Sequence, residues 1–579
     1  MLTAFRGYFL CAGWTCLAFL PVVTVRCLLL SGLEFPLWSE IVKAMALRCL
    51  GIILPALLVA ACSVPATAPP NSRAPSAMLY ELRAAQGRQS LEALLHEPGT
   101  YSYLATLLAA PATLDIQEVD VRPSAISAEA KTLVVQSTSG KVIHYQLRNS
   151  DSPAPGMIGW VGDVATDRRQ RFTSPSEMDF DPFNWVSIVR EGDKVVGDIH
   201  IDGQLYRLDY IGNQRHVLVK VDEAKLSPEA EPLAALDSGI KDPSTGKQPQ
   251  SAYSIIRMLL VSTKQSRAIN PSYRLPFAQA LQNANLYMRN SRVAITYQLA
   301  GFYDADYDET GRTYKQQLDD MRLAKPFGPD LLKVRDAVRA DLVSMYSAGR
   351  EYCGMAWLNT SKAQGHSVVS CFGSLAHELG HNLGAHHNWH DGDPVGRPPY
   401  MFGYRYITGS PRFSTQMSYG CNPACPLIPY HSNPDIEFET IPVGTREHHD
   451  VARRFNERRE VVEDFYADGN NFTVYEHANY QGNACTFTSK GGVSAYLADM
   501  CGEGWQKRVS SLKVSKVKPG ARVRILSDSG SGARYISLRL DGDLELPTLQ
   551  GPVEIPGAEL NWLGGSLDDK VYQVWSNEY

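Results

Sequence analysis

Fourteen histidines are spread over 579 residues, yet four of them crowd into one stretch, His377-Glu-Leu-Gly-His-Asn-Leu-Gly-Ala-His-His387. On a helix, His377 and His381 stand four residues apart, so both rings leave one face about one turn, ~6 Å, from each other. Neutral imidazoles at that spacing suit a zinc ion. Gly384 ends such a helix through the left-handed conformation and lets the chain turn back. The spacing His-x-x-Gly-x-x-His then selects His387, rather than its neighbour His386, as the third ligand. Three protein ligands leave one coordination position for water, and Glu378, beside the first ligand, is placed to take a proton from it. The expectation is one catalytic zinc on His377, His381 and His387, with Glu378 as general base. His366, His390, His431, His448 and His449 are given no role, since packing or surface exposure accounts for single histidines.

Downstream lies Phe413-Ser-Thr-Gln-Met417-Ser-Tyr419-Gly-Cys. Alone, a methionine there would mean only core. Together with His377–His387, Cys353-Gly-Met-Ala-Trp-Leu and Ser432-Asn-Pro, it makes residues 253–467 resemble a bacterial reprolysin/adamalysin-like metzincin peptidase. The resemblance implies a zinc-dependent endopeptidase that hydrolyses peptide bonds in proteins. It also implies a two-lobed domain with Met417 as an apolar floor under the zinc and Tyr419 as a hydrogen-bond donor to the oxyanion. The substrate strand would lie antiparallel on an upper edge strand, placed at Ser367–Phe372. Many adamalysins carry Asp directly after the third histidine. Asn388 stands here, which puts at issue a hydrogen bond behind the ligand rather than the zinc itself.

The histidine helix must be set in a larger frame. Composition is that of an ordinary globular protein, 44% hydrophobic and 20% charged with a net charge of −5, and no region concentrates basic residues. A nucleic-acid partner is therefore not expected. The length calls for two to four domains. From Met45, an alternative start, a short basic segment, the apolar run Cys49–Val59 and Ala60-Ala-Cys62-Ser63 read as an export signal. Val59-Ala-Ala-Cys62 resembles a bacterial lipobox, so Cys62 is the expected lipidation site, with Ser63 pointing to an outer-membrane lipoprotein. The alternative is a plain secreted protein. Residues 63–77, rich in Pro, Ala and Ser, read as a flexible tether. In an oxidising compartment the six cysteines beyond Cys62 pair most simply as neighbours: Cys353 with Cys371, Cys421 with Cys425, and Cys485 with Cys501.

Four regions follow the leader of residues 1–62 and the tether. Residues 78–225 are strand-rich, with alternating or apolar runs at Thr132–Gln136, Lys141–Leu147, Trp185–Arg190, Lys194–Ile201 and Leu205–Tyr210. This region resembles the propeptide of such enzymes. It has no cysteine, so a thiolate latch on the zinc is excluded and any latency must be steric. Residues 226–251 read as a polar linker. Residues 252–468 turn to an α/β texture with a mixed sheet. Strands are expected at Ile255–Val261, Val293–Phe302, Gly354–Leu358 and Ser367–Phe372. Helices are expected from Asn270-Pro271 to Asn290, over Pro329–Ser347, from His377 to Gly384, and over Thr445–Tyr466.

Residues 472–579 are strand-rich again, and two halves repeat a Tyr/Ile-to-Gly spacing (Tyr475 with Gly482, Ile525 with Gly532). They resemble a Greek-key βγ-crystallin-like sandwich, with Ser510-Ser511 fitting the first motif. Calcium sites in that family use paired acidic or amide residues. Gln506-Lys507 replaces the first pair, and Asp568-Asp569 keeps the second with Tyr572 where Ser or Thr belongs, so a Ca²⁺ expectation rests on Asp568-Asp569 alone. The competing reading of the whole chain is a non-catalytic envelope protein that uses zinc only as a scaffold.

Overall fold

A computed structural model of the chain describes residues 77–576 apart from 84–87, 97–100, 235–244, 250–252, 324–326, 390–397, 467–469, 490–493, 516–520, 528–533, 541–542, 552–558 and 564–565. The leader, Cys62, the tether up to residue 76, His390 and Gly532 lie outside the described residues.

The N-terminal region forms a ten-stranded sheet. Its strands are β1 (Ala77–Met78), β2 (Tyr80–Leu82), β3 (Thr113–Val121), β4 (Thr132–Gln136), β5 (Val142–Asp151), β6 (Ile158–Asp163), β7 (Trp185–Glu191), β8 (Lys194–Ile201), β9 (Gln204–Gly212) and β10 (Arg215–Val221). The spatial order is 1-4-5-6-7-8-9-10-3-2, antiparallel except where β1 meets β4. Tight turns at Gly192 and at Asp202-Gly203, all with positive φ, close the hairpins that the polar dipeptides announce.

The helix of the histidine stretch packs on a second, mixed six-stranded sheet. The sheet contains β11 (Leu233–Ala234), β12 (Ser254–Ser262), β13 (Ile295–Asp304), β14 (Leu342–Tyr346), β15 (Gly354–Leu358) and β16 (His366–Val369), ordered 11-15-16-14-12-13. All nine residues of β12 are buried, as a central parallel strand requires. Only β15 runs antiparallel to its sheet neighbour β16. Three helices bear on the site: α1 (Arg274–Asn290), α2 (Leu375–Asn382) and α3 (Val451–Glu463).

Three expectations are corrected. The helix expected over Pro329–Ser347 stops at Val338, because Arg339 takes the left-handed conformation (φ 54°) and the apolar run after it becomes the buried strand β14. The helix after Asn270-Pro271 begins only at Arg274; Asn270 Oδ1 caps a preceding turn by accepting from Ser272 N–H. The edge strand is not Ser367–Phe372. Those residues form β16 and its exit, enclosed between β14 and β15, so the upper rim belongs to β15.

Residues 470–576 form a sandwich of two sheets. One is ordered Gln481–Ser489, Asn470–His477, Ser511–Ser515, Leu544–Leu546. The other is ordered Ser494–Tyr496, Gln573–Ser576, Ala521–Leu526, Tyr535–Leu540, Glu559–Leu563. Ser494–Tyr496 of the first half and Leu544–Leu546 of the second each cross to the other half's sheet, a Greek-key exchange. Gly482 has φ +80°, and Ser511 Oγ accepts from Tyr480 N–H while donating to His477 O. Asp569 accepts from Ser510 Oγ, and Asp568 from Gln550.

Candidate metal and active site

Helix α2 is buried along its whole length, which an exposed polar helix could not be. Its glycines explain the fit. A Cβ on Gly380 would stand 2.3 Å from Met417 Sδ, so the bare backbone lets the methionine pack directly against the helix. Gly384, at φ +89°, turns the chain behind the helix, where a Cβ would meet the Arg454 guanidinium.

That turn returns His387 to the helix. His387 Nε2 lies 3.1 Å from both His377 Nε2 and His381 Nε2. The far nitrogens are committed elsewhere: His377 Nδ1–H donates to Gln416 O at 2.9 Å and His381 Nδ1–H to Ala385 O at 2.8 Å. A carbonyl can only accept, so in these two rings the proton sits on Nδ1 and the Nε2 lone pair faces inward. Burial also holds His381 well below its usual pKa and lowers His387 to about 4, keeping both neutral. Converging lone pairs repel unless a cation lies among them. The spacing is close to the ~3.3 Å edge of a tetrahedron with metal–nitrogen bonds of ~2.0–2.1 Å, so the donor set fits zinc.

Glu378 is fully buried, and neither carboxylate oxygen has a hydrogen-bond partner among the described residues. Burial first, and the neighbouring Glu229 carboxylate second, raise its pKa well above the ordinary range. Gly354 of β15 lies directly over it: a Cβ there would stand 2.4 Å from Glu378 Oε1.

The turn at 415–418, closed by Ser418 N–H to Thr415 O, places fully buried Met417 under α2. Tyr419 follows, its ring 4.1 Å from the His387 ring. Asn388, in the position where Asp is expected, accepts from Tyr419 N–H at 3.2 Å and so ties the third histidine's strand to this turn. His386 turns aside, its Nδ1 accepting from His387 N–H. Cys353 is joined to Cys371, Cys421 to Cys425, and Cys485 to Cys501. The first bridge ties the start of β15 to the loop before α2, and the second lies just beyond Tyr419. A cleft of about 660 Å³ opens here, with Glu229, Gly373, His377, Gln416, Tyr419 and Leu427 among its walls.

Two acidic residues were missed. Glu229 and Glu231, from the stretch read as linker, reach the centre: Glu229 accepts from Ser374 Oγ at 2.5 Å, and Glu231 accepts from Tyr419 OH at 2.6 Å and lies 3.4 Å from His387 Nδ1. The His387 ring first, and the Tyr419 hydroxyl after burial's opposing effect, hold the Glu231 carboxyl down at about 2. Nothing in Ser227-Pro-Glu-Ala-Glu-Pro232 signals this, because the placement depends on a strand more than a hundred residues away.

Three inward-facing imidazoles beside a fully buried carboxylate define a metallohydrolase centre. Residues 276–388 match the model of the metallopeptidase family M12B, reprolysin-like. A peptidyl-Asp metalloendopeptidase of Stenotrophomonas maltophilia is 32% identical over 361 residues, 60% of this chain and 85% of that protein. One of Xanthomonas campestris pv. campestris is 30% identical over 380 residues, 63% of this chain and 88% of that protein. The chain belongs to the reprolysin-like M12B metallopeptidases, and it is a zinc metalloendopeptidase. Among solved structures, metalloproteinase II of Bacteroides fragilis aligns with a TM-score of 0.29 at 9% identity, covering 45% of this chain and 83% of that one. A βγ-crystallin of Ciona intestinalis aligns with a TM-score of 0.13 at 16% identity over 18% of this chain and 99% of its own; neither score bears on the fold.

Proposed function

We propose that this metallopeptidase is exported, tethered to the outer membrane through Cys62, and cleaves proteins with Glu378 as general base. The observation that carries the base assignment is the buried, unpartnered Glu378 carboxylate beside the converging Nε2 atoms. His377, His381 and His387 would hold a zinc ion, which would supply Lewis acidity toward the scissile carbonyl. Glu378 takes the proton of the attacking water on its carboxylate and delivers it to the leaving amide nitrogen. Tyr419 OH donates to the oxyanion that develops on the carbonyl oxygen. Gly354, lacking a side chain, leaves room for Glu378 beneath a substrate strand that would run antiparallel along β15. Met417 floors the site and resists tilting of α2.

The curated relatives are named for aspartate, and by that likeness the scissile bonds would adjoin Asp. The N-terminal sheet would act as a propeptide-like cover, and the C-terminal sandwich as a crystallin-like binding or stabilising module.

The test is cleavage of casein, and of paired peptides bearing one Asp or Asn, by full-length protein with zinc content measured alongside. It is run with the 226–251 stretch intact and after it is cut. Glu378→Gln should keep about one zinc per chain and lose roughly 10²–10⁴-fold in rate. Cleavage undiminished in the variant would remove Glu378 from the base role. Equal cutting of the Asp and Asn peptides would end the aspartate assignment.

A further inference from the structure

The turn that brings His387 back to α2 is held from outside by a buried cation. Helix α2 has eight residues, too few to be stable alone, and its last carbonyls need partners from elsewhere. Two come from the chain leaving β15. Asn359 N–H donates to His381 O at 2.9 Å, and Thr360 N–H donates to Asn382 O at 3.1 Å. Asn359 reaches His381 from left-handed backbone, at φ 54°.

Arg454 of α3 joins this exit to the turn. It is only 1% exposed. Its Nη2 donates to Asn359 Oδ1 at 2.7 Å and its Nε to Gly384 O at 3.4 Å. Next in the turn, Ala385 O accepts from His381 Nδ1 at 2.8 Å. The contacts close a ring, from His381 O through Asn359, Arg454, Gly384 and Ala385 back to the His381 imidazole. That ring fixes both the main chain and the side chain of the second histidine against the segment that carries the third. Gly384 is part of the fit, since a Cβ there would stand 2.7 Å from Arg454 Nε and Nη2. A guanidinium presents its donors in one rigid plane, and its charge suits a helix end where carbonyls point outward. Glu457, on the next turn of α3, lies 3.8 Å from Arg454 Nη1 and balances that charge.

We propose that Arg454 is a positioning residue of the metal centre, setting where His387 stands relative to His377 and His381. It thereby sets the geometry that the three Nε2 atoms offer a metal. Burying a guanidinium is costly, and a well-packed apolar side chain of similar volume would serve a mere core position at least as well. Here the cost is offset by hydrogen bonds that converge on the turn between two histidines of the site. Arg459 is the contrast on the same helix. It is 2% exposed, but its Nη1 donates to Ser254 Oγ on β12 rather than to the turn. The inference rests on the three-histidine centre and not on Glu378 as base.

The test compares full-length wild type with Arg454→Lys, Arg454→Met and Arg459→Met. Zinc affinity is measured by competition with a chelator, and the visible absorption of the cobalt(II)-substituted proteins reports the ligand geometry. Arg454→Lys keeps the charge but loses the planar fork. It should weaken zinc binding by about 10- to 100-fold and shift the cobalt bands. Its kcat on casein should fall while KM stays within about twofold. Arg454→Met should weaken zinc binding at least as much. Arg459→Met should lower the melting temperature yet keep the wild-type zinc affinity and cobalt spectrum. Wild-type zinc affinity and cobalt bands in Arg454→Lys would overturn the proposal. Equal loss of zinc affinity in Arg459→Met and Arg454→Met would also overturn it, assigning the effect to general loosening of α3. Should Arg454→Met fail to fold, the Lys variant decides through the two metal readouts. Those readouts stand whether or not wild type cleaves casein, and absence of cleavage counts against the proposed function alone.

Discussion

Trp185 of the N-terminal sheet and Leu512 of the C-terminal sandwich are both almost wholly buried, yet they belong to different kinds of core. Trp185 stacks on His200, meets Tyr287 of α1 edge-on, and joins Val161, Met178 and Phe180 in one apolar cluster with Leu379, Met417 and Phe455 of the catalytic fold. Polar contacts cross the same seam: Asp198 accepts from both Gln279 and Asn283, and Gln282 donates to Ser187. Leu512 packs in a cluster drawn wholly from residues 472–574. The N-terminal sheet therefore shares a core with the peptidase despite the polar stretch 226–251 between them, whereas the sandwich keeps a core of its own. A cut in the 226–251 stretch therefore leaves the N-terminal sheet held to the peptidase by buried apolar area.

The sharpest way to break this comparison is calorimetry with and without a chelator, which marks the unit containing the zinc. Trp185→Ala should destabilise that unit by about 3–5 kcal/mol, whereas Leu512→Ala should weaken the sandwich by about 2–5 kcal/mol and leave the chelator-sensitive transition in place. Equal shifts of that transition by the two variants would merge the cores.

A smaller effect comes from acid. Burial lowers the His200 pKa to about 3, so between about pH 6.5 and 3 the unfolded chain holds a proton there that the folded chain does not. Stability from this group is complete above pH 6.5 and falls with pH, by about 2 kcal/mol at pH 5. The sandwich region contains a single histidine, His477, and its side chain is exposed. His200→Phe, which keeps a ring on Trp185, should flatten the pH dependence of the zinc-bearing unit between pH 7.5 and 5; an unchanged slope would remove His200 as its source.

Smallest of all, Glu545→Gln in the sandwich breaks a 2.7 Å ion pair between the exposed Glu545 carboxylate and Lys513. It should shift the sandwich transition by less than about 1 kcal/mol and the zinc-bearing one not at all, as read by the same scans.

The metal centre was legible because its determinants are local. Four-residue spacing puts His377 and His381 on one face, Gly384 marks the turn, and Met417 and Tyr419 follow within one loop. Central strands such as Ser254–Ser262 were legible for the same reason, as unbroken apolar runs. What failed was decided at a distance or by a disguised signal. Arg339 ends a helix in a conformation usually announced by glycine, so Leu342–Tyr346 read as its continuation. The rim strand was misplaced because order within a sheet depends on partners, not on composition. Glu229 and Glu231 were invisible because Ser227–Pro232 has every mark of a free linker until β15 offers it an unpaired edge.

The connection from Val221 at the end of β10 to Pro228 is only a few residues long, and its upstream anchor is docked. An occupant held this way competes as though present at millimolar concentration or above, however dilute the protein. A free peptide would need to match that figure to take the same edge of β15, whatever the protein concentration. Occupancy of the cleft is set by the chain's own geometry, not by how much of the protein is made.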